Sequence, residues 1–234
     1  MGYWQLGDPF TVRENLLPLD VQTLTSLYDG EIHQMDQLLG ELNVLLDQAE
    51  LIDRTLVVFT SAHGQELLEH GGYTYGHSLY DEVLHVPVIM AGPGVEFPAA
   101  VDTTVSLLDV APTLAEIAGA SLPPAISGHS LVPALQGDAM QERPVFGESL
   151  YRVPHESKGM YRDGFKVIYN VDLDRFELYD LKTDPDELQD IEAQAVSEAE
   201  SLKRDLLQWM AHTNQVANEL PRAAPPSEFK NAMW

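Results

Sequence analysis

The chain of 234 residues contains no cysteine. Disulfides, thiolate metal sites and a cysteine nucleophile are therefore excluded within it. Cations are scarce too: 13 Lys plus Arg face 37 Asp plus Glu, for a formal charge of -24. Such a field repels nucleic-acid phosphates and an anionic membrane surface, so neither is expected as a partner. An anionic substrate would meet the same repulsion unless a bound metal or a protonated histidine reversed it locally. No apolar run approaches the roughly 18–20 residues that span a bilayer, and the opening MGYWQLGDPF lacks the basic and apolar regions of a signal peptide. Gly2 begins a myristoylation-like pattern that fails at Leu6, where Ser or Thr is required. As written, the sequence is expected to be cytoplasmic.

What is present is an ordinary globular composition, 44% hydrophobic. Residues 1–18, with Pro9 and Pro18, read as an extended lead-in. From Leu19, Leu24, Leu27, Tyr28, Ile32, Met35, Leu38, Leu39, Leu42 and Leu46 recur at spacings of three and four, which predicts a long amphipathic helix ending near Glu50. His33 and Asp36 on that helix read as a solvated polar pair rather than as ligands.

The stretch from Thr55 to Gly92 organises the chain. It reads as an apolar strand, a polar loop with His63, His70 and His77, a helix of about nine residues around 78–86, and a second apolar strand at 86–90. The strands lack polar alternation, as expected of parallel strands buried on both faces. Chemistry is expected on the loop at the strand end. A zinc site built from His63, His70 and His77 is disfavoured, because Gly71-Gly72 keeps their spacing of seven off one helix face. His85 and His129 read as structural, His155 and His212 as exposed.

Further on, Pro112 sits early in a helix closed by Gly119, and 130–135 is a short helical patch in a Pro- and Gly-rich connection. Beyond Arg143 the pattern changes to the short strands PVFGES, KGMYR, FKVIYN and RFELYDL, joined by turns such as Arg162-Asp163-Gly164. These predict an antiparallel sheet, with Pro144 to Phe146 alternatively extending the parallel one. In DPDEL, Asp184 and Pro185 predict a capped helix with Glu187 reaching back. A helix over 191–216 and a tail from 218 complete the chain. The few parallel strands would be too narrow to cover the helices, so the sheet is expected to be part of a larger one.

At the residue level the chain resembles the C-terminal portion of the sulfatase branch of the alkaline phosphatase superfamily. The resemblance runs through Asp36 to Gly40, Ser61-Ala62-His63-Gly64-Gln65, Glu69-His70-Gly71, Gly76-His77-Ser78-Leu79-Tyr80-Asp81-Glu82 and Val86-Pro87-Val88-Ile89. It continues through Leu108-Asp109-Val110-Ala111-Pro112-Thr113, Gly128-His129-Ser130-Leu131, Glu177-Leu178-Tyr179-Asp180-Leu181 and Asp184-Pro185-Asp186-Glu187. It implies an α/β fold: a partial, mostly parallel sheet flanked by helices, alkaline phosphatase-like, followed by a small antiparallel α+β subdomain. The implied organisation is a lead-in at 1–18, the C-terminal half of the catalytic domain at 19–137, the subdomain at 138–217 and a flexible tail at 218–234.

The resemblance also implies sulfuric ester hydrolysis, or phosphate or phosphonate ester hydrolysis in sister branches, on an anionic ester substrate. His63 would ligate a divalent cation, calcium first, with magnesium or manganese as alternatives. His77 would contact the ester or protonate its leaving group, and Gln65 and His70 are further site candidates. Two departures stand out: the family's metal-binding Asp is Ala62 here, and its following Glu is Gln65. The family's Cys/Ser-x-Pro-x-Arg nucleophile motif does not occur in these residues. The chain alone is therefore expected to be inactive and to need its missing N-terminal half or another chain. The rival expectation is a non-catalytic protein whose degenerate metal site left a fold for binding or assembly.

Overall fold

A computed structural model describes residues 18–95, 100–123, 126–150 and 156–219. Helix α1 (Pro18–Gln48) realises the long apolar stripe almost to the residue. Leu24, Leu39 and Leu46 are half-buried, while Leu27, Ile32, Met35, Leu38 and Leu42 lie exposed on it. His33 bonds its neighbour Gln37 on the solvated face. A short 3-10 turn (Ile52–Arg54) leads into β1 (Val57–Thr60), and β4 (Val88–Ala91) returns beside it.

The two strands pair antiparallel, Val57 opposite Ala91 and Thr60 opposite Val88, which corrects the expected parallel pairing. A parallel return needs a connection of a dozen residues or more that crosses over the sheet, usually as a helix. Here the connection holds instead a tight hairpin, β2 (Glu66–Leu67) with β3 (Tyr73–Thr74), and the one-turn helix α2 (Asp81–Leu84). The helix of nine residues is thus reduced to four, because Tyr80 is extended and His85 leaves the helical region. Neither strand is buried on both faces; Ile89 is 58% exposed.

Helix α3 (Val110–Ile117) carries Pro112 and ends before Gly119 at φ +64, as the pattern predicts. Asp109 precedes it, fully buried, and closes a capping box with Ser106. Its carboxylate also accepts from the His129 amide at 2.8 Å and pairs with Arg143, so that it ties 128–131 and the sheet entry to the same point. Helix α4 (Val132–Leu135) fills the short helical patch.

The C-terminal sheet is antiparallel in sequence order: β5 (Val145–Leu150), β6 (Glu156–Arg162), β7 (Phe165–Asn170) and β8 (Arg175–Asp180). The segment beginning at Val145 joins this sheet and not the one containing β1. Asp163 and Gly164, both at positive φ, make the tight turn between β6 and β7. Register aligns Phe146, Met160, Val167 and Leu178 in one row across the four strands. Helix α5 (Val196–Glu219) lays Ala199, Leu202 and Leu206 on that row, and Trp209 stacks on Phe146 at 4.6 Å. This is the main core.

On the opposite sheet face the adjacent row runs Gly147, Gly159, Ile168 and Glu177. Leu79, 2% exposed, packs there with Ile168 and Tyr179, in the space the two glycines leave. The histidine loop thus docks directly on the C-terminal sheet. The predicted DPDEL helix does not form. Asp184 takes the Leu188 and Gln189 amides in a turn, and Glu187, at φ +53, points away from Asp184 and toward α2. A buried cation there outcompetes the local cap, as described below. Helix α5 begins at Val196, with turns over 191–195. The expected lead-in up to residue 17 and the tail from 220 lie outside the described residues, as does His155.

Candidate functional site

The loop from Ser61 to Tyr80 is shaped by its glycines. A Cβ at Gly64 would stand 2.0 Å from the Glu82 carbonyl oxygen, so only glycine lets the end of β1 bond the Val83 carbonyl with its amide. At Gly72 a Cβ would fall 2.3 Å from His77 Nε2. Leu68 and Thr74 hold φ of +81 and +82, sparsely populated for branched side chains.

His63 is exposed at the strand end. Its Nδ1 lies 2.8 Å from the Gly64 carbonyl, which can only accept, so Nδ1 carries the proton and Nε2 of the neutral ring is left as a ligating or accepting atom. Tyr75 stacks on the ring at 3.7 Å and fixes its plane. The surrounding donor set does not fit a divalent cation: Ala62 contributes a methyl group, Gln65 turns its amide to the Glu66 carbonyl, and no group of three or more ligating side chains occurs among the described residues.

His77 is turned inward. It is 8% exposed and its Nε2 lies 2.8 Å from Oε2 of Glu66, itself 1% exposed. Glu66 also accepts the Gly72 amide at 2.5 Å and the Ser78 hydroxyl at 3.3 Å. Burial alone would raise the Glu66 carboxyl, but the bonds from His77 and Gly72 outweigh it and hold it below its ordinary value. The pair borders a cleft of about 410 Å³ between the loop and the C-terminal sheet, whose other polar lining includes Tyr80, Asn170 and Glu177. Tyr80 and Tyr179 both donate to Glu177 Oε2 at 3.0 Å, and burial pushes both phenols up.

His70 lines the same cleft as His77 but makes its bonds in a second network. Its Nδ1 is 2.7 Å from Glu82 Oε1, its Nε2 is 3.0 Å from the Glu187 carbonyl, and it stacks on Tyr80 at 3.6 Å. Glu187 in turn receives the Asp81 amide at 2.6 Å and lies 2.8 Å from Lys166 Nζ. Lys166 also reaches Asp81 Oδ1 at 2.6 Å. Burial pushes the Glu187 carboxyl up, partly offset by Lys166 and the Asp81 amide. His85, His129 and His212 are exposed.

Of the residues singled out in the sequence, the fold therefore places His63 at the strand end, His77 on Glu66, and His70 between Glu82 and the Glu187 carbonyl, with His70 and His77 bordering one cleft. Glu66 and Lys166 escaped the sequence reading, and Glu187 enters it as part of a helix cap and not as a site residue. Glu66 had one legible sign, an acidic residue next to Leu67-Leu68 in a glycine-closed hairpin.

A strand pair with a histidine loop at its end, docked on a small antiparallel sheet, fits an alkaline phosphatase-like α/β architecture. Family models narrow this: the one described as N-sulphoglucosamine sulphohydrolase, C-terminal, matches residues 69–215, more than half of the chain, and the one described as Sulfatase matches 9–120. The chain belongs to the sulfatase family, to whose C-terminal portion it corresponds. It is 32% identical to arylsulfatase K of Mus musculus over 186 residues, covering 74% of this chain and 33% of that protein. To arylsulfatase K of Homo sapiens it is 30% identical over 190 residues, 74% of this chain and 34% of that one. The chain thus spans about a third of the length of these curated relatives. Among solved structures, the phosphonate monoester hydrolase of Agrobacterium radiobacter superposes with a TM-score of 0.73 at 26% identity, over 82% of this chain and 42% of that one. A 2-O GAG sulfatase gives 0.62 at 30%, over 74% and 40%. Among the described residues, no helix is long and apolar enough to cross a membrane.

Proposed function

We propose that this chain contributes the C-terminal side of a sulfuric ester hydrolase site, with His63 on the metal side and His77, held by Glu66, on the ester side. The observation that carries this reading is the strand-end loop, where His63 presents Nε2 outward and His77 is braced on a buried carboxylate. These residues lie within a chain matched by sulfatase family models. In this role His77 acts by charge and proton, Glu66 stabilising its imidazolium. The nucleophile and the metal carboxylates come from residues that the longer relatives have and this chain does not span. The family's reactions require a divalent cation, and calcium, magnesium and manganese are the candidates. The donor set here, with Ala62, does not bind one without those further residues.

The test is turnover of a fluorogenic aryl sulfate. The chain by itself is expected to show none, and a protein joining it to a sulfatase N-terminal half is expected to turn over with loss on His77→Ala. Unchanged turnover in His77→Ala would overturn the assignment of His77. Ala62 favours a second reading, a non-catalytic protein with a degenerate metal site. Under the first reading Ala62→Asp in the joined protein raises activity and metal affinity together; no change in either sinks the claim that Ala62 stands at a ligand position.

A further inference from the structure

The buried network around His70 links the two halves of the chain through groups whose donor and acceptor roles fix a proton. Both ring nitrogens face oxygens: the Glu82 carboxylate at 2.7 Å and the Glu187 main-chain carbonyl at 3.0 Å. A carbonyl cannot donate, so Nε2 carries a proton, and an ionised carboxylate cannot donate either, so Nδ1 carries a second. His70 is therefore an imidazolium in this arrangement. Glu187 stands at the end of a chain segment that belongs to the C-terminal sheet, yet its side chain caps the first amide of α2 and its carbonyl takes the His70 proton. Lys166 of β7, 3% exposed, pairs with both Glu187 and Asp81.

We propose that His70 and Glu187 are positioning residues, which lock the histidine loop to the C-terminal sheet through the second proton on the His70 ring. The inference rests on the reading of His63 and His77 as site residues. Residues 61–80 touch the C-terminal sheet through Leu79, through the Ser149 hydroxyl on the Gly76 carbonyl, through the Tyr80 hydroxyl on Glu177, and at this network. Removing the proton from Nδ1 or Nε2 leaves an oxygen facing a lone pair and opens the last of these.

The charged and titratable groups facing His70 come from every element packed on it: Glu82 of α2, the stacked Tyr80, Glu66 of β2, and Glu187 with Lys166 and Asp81 behind it. Burial alone would favour the neutral ring, but the bonds to Glu82 and to the Glu187 carbonyl prevail and raise the pKa above the ordinary histidine value. A raised histidine contributes stability that is complete below its unfolded value and lost as pH rises through the folded one. The lock is closed in mild acid and opens on the alkaline side.

Nitrogen NMR and amide exchange on this chain test the proposal together. At about pH 6 both His70 ring nitrogens are expected in the protonated form. Above the ring's pKa, the amides of Leu68 and Gly72 should lose about tenfold in protection beyond the intrinsic pH dependence of exchange. His70→Gln should show the low protection at every pH, without a step. Should that variant fold poorly, Glu82→Gln serves instead and moves the step to lower pH. A neutral ring in mild acid, or wild-type protection in His70→Gln, overturns the proposal. Neither readout uses ester turnover, so a failed hydrolase reading and a failed lock are told apart.

Discussion

At the scale of single residues, Gly72 illustrates how the site depends on a missing side chain. A Cβ there would lie 2.3 Å from His77 Nε2 and 2.8 and 2.9 Å from the Glu66 oxygens, within the buried Glu66–His77 hydrogen bond. Gly72→Ala must therefore displace one of these side chains, and leaving a buried polar partner unsatisfied costs about 1–3 kcal/mol. Chemical denaturation should register that loss. Gly40→Ala is the contrast: it sits inside α1 with nothing within 4 Å of the added carbon, and should be neutral or stabilise by up to about 1 kcal/mol. Equal small effects at both positions would mean that the Glu66–His77 pair contributes nothing to the fold. Glu66 itself was hard to read from the sequence. Its partner is eleven positions away around a hairpin, and nothing short of that hairpin says that an acid between Gln65 and Leu67 turns inward.

At the scale of elements, the sequence is most explicit where one local rule acts alone. The stripe of α1, the Asp163-Gly164 turn and the rows of β5 to β8 follow from spacing and turn chemistry, and each forms close to where it is expected. Strand direction is different, because two apolar strands read alike whether they run together or opposed. What decides between β1 and β4 is the connection, and there a hairpin and a single helical turn replaced the expected crossover. DPDEL failed for a related reason: a local capping pattern lost Glu187 to Lys166, a partner on β7 that only the assembled sheet supplies. The same sheet offers a test of how the loop is seated. A Cβ on Gly159 would meet Leu79 at 3.2 Å, and a larger group must push Leu79 off the sheet. Gly159→Val should cost about 1–3 kcal/mol by overpacking, read as a melting temperature lower by roughly 2–4 °C per kcal/mol for a chain of this size. Exchange protection should fall in 66–80 and stay unchanged under α5. Uniform loss across both would show that Leu79 is not the local anchor.

At the scale of the whole molecule, burial is uneven. The C-terminal sheet and α5 enclose a core whose central residues, Val167, Leu178 and Leu206, have no exposure at all. The α1 stripe, by contrast, leaves Leu27 63% and Ile32 55% exposed, and β1 and β4 pair only with each other among the described residues. Contiguous apolar surface beyond a few hundred Å² is rare on soluble monomers, and an unpaired strand edge invites another chain. Under the proposed reading the cover would be the part of the sulfatase architecture beyond this chain, which spans about a third of the length of its curated relatives. Without it, the chain is expected to bind an apolar dye and to gain mass with concentration in sedimentation. Replacing Leu27, Ile32 and Leu38 together by Glu should abolish both effects. It should leave the melting of the C-terminal core where it was, since none of the three packs on that core. A wild-type chain that stays monomeric and dark to the dye would mean that α1 covers its own stripe in solution, and would remove the physical case for a missing half.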